Sequence, residues 1–189
     1  MSVYTVLFDA NVLYPAPMRD LLLQLAVTDI FRARWTADIH REWIDALLLN
    51  QPHRDRVALE RTRDQMDRAT RDCLVTGYHS LIPSLQLPDA DDRHVLAAAI
   101  VGHCDAILTQ KLRDFPENVL VPHGIEAVHP DAFLQAQIGM EPAIFCNAVR
   151  KVRARLKNPP YSVSDYLDTL TRQGLVATVS ELRQFAALI

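Results

Sequence analysis

Val3-Tyr4-Thr5-Val6-Leu7-Phe8-Asp9-Ala10-Asn11-Val12-Leu13 is the stretch on which the fold turns. Its first six residues are a β-favouring apolar run that stops at an acid, and Leu21, Leu22 and Leu25 then recur at helical spacing within Met18–Ala26. Strand, loop and helix therefore follow one another. The alternation continues. A short strand at Arg34–Thr36 leads into a helix capped by Thr36 or Asp38 and carrying Ile39, Trp43 and Leu47, which Pro52 ends. A polar amphipathic helix spans about 55–71, a helix rich in small apolar residues spans about 91–102, and strands follow at Ala106–Thr109 and Ile125–Val128. Strands separated by helices imply right-handed crossovers and a parallel sheet covered on both faces.

Beyond Gly139 the strand signals fade. Three helical segments remain, at about 142–157, 164–172 and 180–188, divided by Asn158-Pro159-Pro160 and by Gly174. The chain thus divides into an α/β body over residues 1–140 and a helical extension over 141–189. The two parts differ in charge: the first holds 13 Lys and Arg against 19 Asp and Glu, a balance of −6, and the second 7 against 4, a balance of +3. An acidic body with a basic tail suits a cation site beside a surface drawn to phosphates.

Composition removes several classes. With 49% apolar and 23% charged residues the chain is globular rather than disordered or fibrous. The longest apolar stretch, Val95–Val101, falls far short of the roughly 18 residues that cross a bilayer, so a cytoplasmic location and no membrane partner are expected. Cys73, Cys104 and Cys146 lack CxxC spacing and read as buried small hydrophobes. None of the seven histidines pairs with another at i, i+4, which argues against metal ligation by histidine, and His94 in particular reads as structural or supporting. A dinucleotide site needs a glycine-rich turn after the first strand, yet no glycine precedes Gly77. An aspartyl phosphatase would want an acid two residues after Asp9, where Asn11 stands.

The acids carry the chemistry. Functional groups of parallel sheets gather at the carboxyl ends of the strands. Asp9 sits at one such end, and Asp114 follows the Ala106–Thr109 strand along the same edge. The helix beginning near Asp91 brings Asp92, which shares a face with Leu96 and Ala99, and Glu42 precedes Trp43 on the earlier helix. Clustered carboxylates raise one another's pKa unless a cation neutralises them, and hard oxygen donors select Mg²⁺ or Mn²⁺. Phosphodiester hydrolysis by metal-activated water fits that donor set. Each acid also has a plainer reading: Asp91 or Asp92 as a helix cap, Asp9 as a turn residue, Asp114 and Glu42 as solvated acids.

Taken in order, the strand ending Asp9-Ala10-Asn11, the helix with Arg41-Glu42-Trp43, the run Leu87-Pro88-Asp89-Ala90-Asp91-Asp92-Arg93-His94-Val95, and Ile107-Leu108-Thr109 followed by Asp114-Phe115-Pro116 resemble a PIN domain, with VapC toxins the nearest group. The resemblance covers about residues 3–137. It implies a three-layer α/β/α sandwich around a parallel sheet, with a metal-dependent ribonuclease site. Asp9, Glu42, Asp92 and Asp114 fall on the family's acidic positions, and Asn11, Thr109 and Asp91 on supporting ones. It further implies Mg²⁺ or Mn²⁺ as cofactor, RNA as substrate, a VapB-like antitoxin as partner and a homodimer. The helical tail is similar to an extension found in one branch of VapC-like proteins. Where similar sequences place an Asn or Asp after the Thr, this chain has Gln110 and Lys111, which bears on whether a second ion is held. Lys111 is a candidate phosphate contact or a solvated loop lysine.

Two points remain open from sequence. Arg150, Lys151, Arg153, Arg155 and Lys157 place five cations within eight residues opposite the apolar stripe Phe145, Ala148, Val149, Val152 and Leu156. Arg150, Arg153 and Lys157 are therefore candidates for the RNA backbone, against a plain solvated face. The non-enzyme alternative is a degenerate PIN module that binds RNA or protein without cutting.

Overall fold

The computed structural model describes residues 3–189, so the first two residues of the expected 1–140 body lie outside the described residues. Strand β1 (Thr5–Phe8) is buried along its whole length because it has a parallel neighbour on each side and helices on both faces. Its neighbours are β2 (Arg32–Arg34) and β3 (Ala106–Leu108), and β4 (Glu126–Val128) completes a parallel sheet of order β2-β1-β3-β4. Charged side chains at the two outer strands, exposed Arg32 and Glu126, blunt the edges that such a sheet leaves open.

Helix α1 (Ala10–Leu13) starts immediately after Asp9, a single turn that the sequence pattern does not reveal, and α2 (Ala16–Ala26) follows with Pro17 in its first turn. The second strand lies two residues earlier than the apolar pattern suggests, because Thr36 serves as N-cap of α3 (Ala37–Asn50), its hydroxyl accepting from the Ile39 N–H at 3.0 Å. Asp55 caps α4 (Arg56–Ala69) through the Val57 N–H. A 3₁₀ turn at His79–Ser84 then leads to α5 (Arg93–Val101), whose Val95, Leu96, Ala97, Ala98 and Ala99 are all buried. Small side chains allow that helix to lie close against β1 and β3. After it, a Cβ on Gly102 would stand 2.9 Å from both the Ala98 carbonyl and the Val75 side chain, so the tight return into β3 needs glycine. The short α6 (Glu117–Leu120) bridges to β4.

Helices α7 (Pro130–Met140), α8 (Pro142–Arg155), α9 (Val163–Arg172) and α10 (Val176–Leu182) end the chain. The stripe Phe145, Ala148, Val149 and Val152 is buried, with α8 packed along α2 and α7, and α10 packed on α7 and α9. These helices share one apolar core with the sheet layer. The last helix departs from the expected 180–188 span and begins at Val176. Its start is fixed across space: the Asp131 carboxylate accepts from the Ala177 and Thr178 N–H groups, both at 2.8 Å. Among the described residues no helix is long and apolar enough to cross a membrane.

Candidate active site

The carboxyl ends of β1 and β3, the start of α5 and one face of α3 enclose a cavity of about 410 Å³ lined by Asp9, Glu42, Asp92 and Lys111 together with Asn11, Tyr14, Trp43 and Asn50. Asp9 is 3% exposed. Its Oδ2 accepts from the Thr109 hydroxyl at 2.8 Å and from the Asn11 amide at 2.5 Å. Thr109 is held in turn: its Oγ1 accepts from Asn11 Nδ2 at 2.9 Å and from the Lys111 N–H at 3.0 Å, while Asn11 Oδ1 accepts from the Gln110 N–H. The β1 and β3 ends are thus locked side by side, and with both named donors on one oxygen Asp9 keeps lone pairs for a further partner.

Asp92 precedes the first residue of α5, yet its side chain makes no capping bond. It is 8% exposed, and its Oδ2 is buried with no hydrogen-bond partner among the described residues. A satisfied cap would have used that oxygen. The turn that delivers Asp92 is anchored upstream, where Asp38 on α3 accepts from the Tyr78 hydroxyl at 2.5 Å and pairs with His79 Nε2 at 3.0 Å, pinning the 3₁₀ turn that packs on α5. Asp91 next to it is exposed and lines no part of the cavity; its N–H binds Asp89 Oδ1 at 2.9 Å in a local turn.

Both floor acids resist ionisation. Burial raises the Asp9 carboxyl above its usual range, the Glu42 charge adds to this, and the Thr109 hydrogen bond and Lys111 act against it. Asp92 is pushed up to about 6, first by burial and then by the charges of Asp9, Asp89 and Asp114, with Lys111 opposing. The outer acids are compensated locally. Glu42 Oε1 lies 2.7 Å from His94 Nε2, off the axis required of a linear hydrogen bond, and the pair holds the His94 pKa above its ordinary value despite burial. Asp114 does not line the cavity; its Oδ2 is 4.0 Å from Lys111 Nζ at the rim.

The four acids therefore share one edge of the sheet without closing into a ligand cage, and among the described residues no group of three or more His, Cys, Asp or Glu is near enough to hold a metal ion. Each outer acid lies beside the nearest basic group, Glu42 by His94 and Asp114 by Lys111. The residues still fit a divalent ion of the Mg²⁺ kind, which commonly uses one or two carboxylates and retains waters: two buried carboxylates face the cavity, and one has an oxygen wanting a partner.

Gln110 also lines the cavity, as do Tyr14, Ala46 and Asn50, which the sequence reading does not single out. For two of these a signal existed: Ala46 and Asn50 follow Glu42 at i+4 and i+8 on one helix and share its face. His94 contacts Glu42 because α5 and α3 meet, a tertiary relation. Arg153 differs from its expected role on the RNA face. Its guanidinium donates to the Tyr161 and Ile189 carbonyls, at 2.9 and 3.3 Å, tying down the chain end, so the outward charges of α8 are those of Arg150 and Lys151, with Lys157 just beyond. Arg155 is also engaged, with Gln24.

A parallel sheet with an acid at the end of its central strand and another at the start of a crossover helix defines the class: residues 5–113 match the PIN domain family, and the chain belongs to it. Residues 130–184 match the VapC50 C-terminal domain. Over 98 residues the chain is 38% identical to a Mycobacterium tuberculosis (strain ATCC 25618 / H37Rv) protein named "Putative ribonuclease VapC50", a match covering 51% of this chain and 57% of that relative. No solved structure shows significant similarity.

Proposed function

We propose that the protein is a Mg²⁺- or Mn²⁺-dependent endoribonuclease and the toxin of a VapBC-type pair, acting on RNA, restrained by a VapB-like antitoxin and working in the cytoplasm as a homodimer. The observation that carries the reading is the buried Asp92 carboxylate, unpartnered at Oδ2 and facing the same cavity as Asp9. Buried acids with a structural role are usually hydrogen-bonded at both oxygens, and the Asp92 Oδ2 has no donor among the described residues. Asp9 and Asp92 would hold the ion, with Glu42 and Asp114 in reserve at the margins. When bound, a divalent ion would supply the lowered water pKa that makes a hydrolytic nucleophile available near neutral pH. Asn11 and Thr109 fix the Asp9 carboxylate, and Lys111 offers positive charge to a phosphate oxygen at the mouth. His94 sets the position of Glu42. Arg150, Lys151 and Lys157 supply an outer surface for the RNA backbone.

The test is cleavage of RNA by purified protein with Mg²⁺ or Mn²⁺ and with excess chelator. Activity confined to the metal samples, and lost in Asp9→Asn while the protein still folds, is expected. Full activity in chelator would refute the mechanism. RNA binding without cutting under all conditions would instead identify the degenerate module.

A further inference from the structure

The cavity has two unlike ends. Asp9, Glu42, Asp92 and Lys111 form a charged end, whereas Tyr14, Pro15, Trp43, Ala46 and Asn50 form an apolar and aromatic one. The catalytic reading uses only the first. The second is rigid. Trp43 is 1% exposed; its indole N–H donates to His40 Nδ1 at 2.9 Å, His40 Nε2 meets Asp67 at 2.9 Å, and the Arg19 guanidinium lies 5.0 Å from the indole ring centroid. Beside it, Tyr14 is half-buried at the end of α1, and Asn50 is exposed at the end of α3. The Asn50 amide donates to the Tyr14 hydroxyl at 3.2 Å, which leaves its carbonyl and one N–H available at the mouth.

We propose that this end is a nucleobase subsite that receives one single-stranded base of the RNA, with Tyr14 as the contact face and Asn50 as the edge-reading amide. The inference rests on the nuclease reading above. Chemistry favours a base over other occupants: the lining at this end is uncharged, and a base is neutral, planar and wants both an apolar face and an adjacent donor and acceptor. Aromatic rings bind bases whatever their identity, and an asparagine amide presents the donor–acceptor pair that adenine matches best. A duplex could not present a base here, so the substrate is single-stranded at the cut.

Two measurements test this. In chelator, fluorescence anisotropy compares a labelled single-stranded oligoribonucleotide with one of equal length bearing an abasic residue. The wild type binds the intact strand tighter by about tenfold. Tyr14→Ala erases that difference, while Tyr14→Phe, which keeps the ring, retains it. In Mg²⁺, end-mapping of cuts in a random-sequence RNA shows a base preference beside the cut that Asn50→Ala flattens. Equal affinity for intact and abasic strands, or an unchanged preference in Asn50→Ala, overturns the subsite. Cleavage with no base discrimination sinks the subsite alone; base-dependent binding without any cleavage sinks the nuclease reading and leaves the subsite standing.

Discussion

Two aspartates at helix starts, Asp92 before α5 and Asp131 in the first turn of α7, have opposite surroundings. Asp131 has a backbone donor on each carboxylate oxygen, from Ala177 and Thr178, and its carbonyl accepts from the Thr178 hydroxyl. Asp92 is more deeply buried, feels the charges of three other acids, and has one oxygen without a donor among the described residues. The first arrangement ties two helices together. The second costs stability as it stands and makes sense where an external cation completes it. The two acids differ in the satisfaction of their lone pairs rather than in residue type.

That contrast can be broken at either end. Asp92→Asn should lower Mg²⁺-dependent RNA cleavage by at least about a hundredfold while the melting temperature in chelator holds or rises; a lost fold would put Asp92 with Asp131.

Metal should act on stability through the same acid. Its folded pKa of about 6 lies above the ordinary 3.8, so between those values the native state binds more protons than the unfolded chain. In chelator, stability therefore falls as pH rises from about 4 through about 6. Mg²⁺ at a hundred times its dissociation constant should restore about 2.7 kcal/mol near pH 7.5, roughly 5–10 °C in Tm, and little near pH 4.5, where protons occupy the carboxylates. Thermal melts at the two pH values with and without Mg²⁺ check this; equal shifts at both would contradict it.

Asp131→Ala should do the reverse of Asp92→Asn: a loss of about 2 kcal/mol, roughly 4–8 °C in Tm, with cleavage at 25 °C retained. Charge reversal at Arg150 and Lys157 should have the smallest effect, flattening the dependence of log affinity for RNA on log salt by about one per phosphate contact removed. An unchanged slope would make α8 a solvated face.

Much of the fold is legible in the chain because its signals are local. The apolar run ending at Asp9 yields β1, and the alanines of 97–99 yield a helix that lies flat on the sheet. The helices over α3 and α4 are legible too, and the structure settles Thr36, of the two candidates, as the cap of α3. The single turn of α1 escapes, since four residues carry no period. The true start of α10 escapes as well, because its cap, Asp131, is more than forty residues away.

The candidate site divides the same way. Sequence by itself determined the acids, their order and the strand ends that carry them, since strand direction fixes which edge a following residue occupies. Tertiary structure decided the rest: Asp114 outside the cavity, Glu42 beside His94, Arg153 turned to the Tyr161 and Ile189 carbonyls, and Tyr14 against Asn50. The reason is physical. Period and propensity are properties of neighbouring residues, whereas burial and hydrogen-bond satisfaction depend on which distant groups arrive, and only packing brings those together.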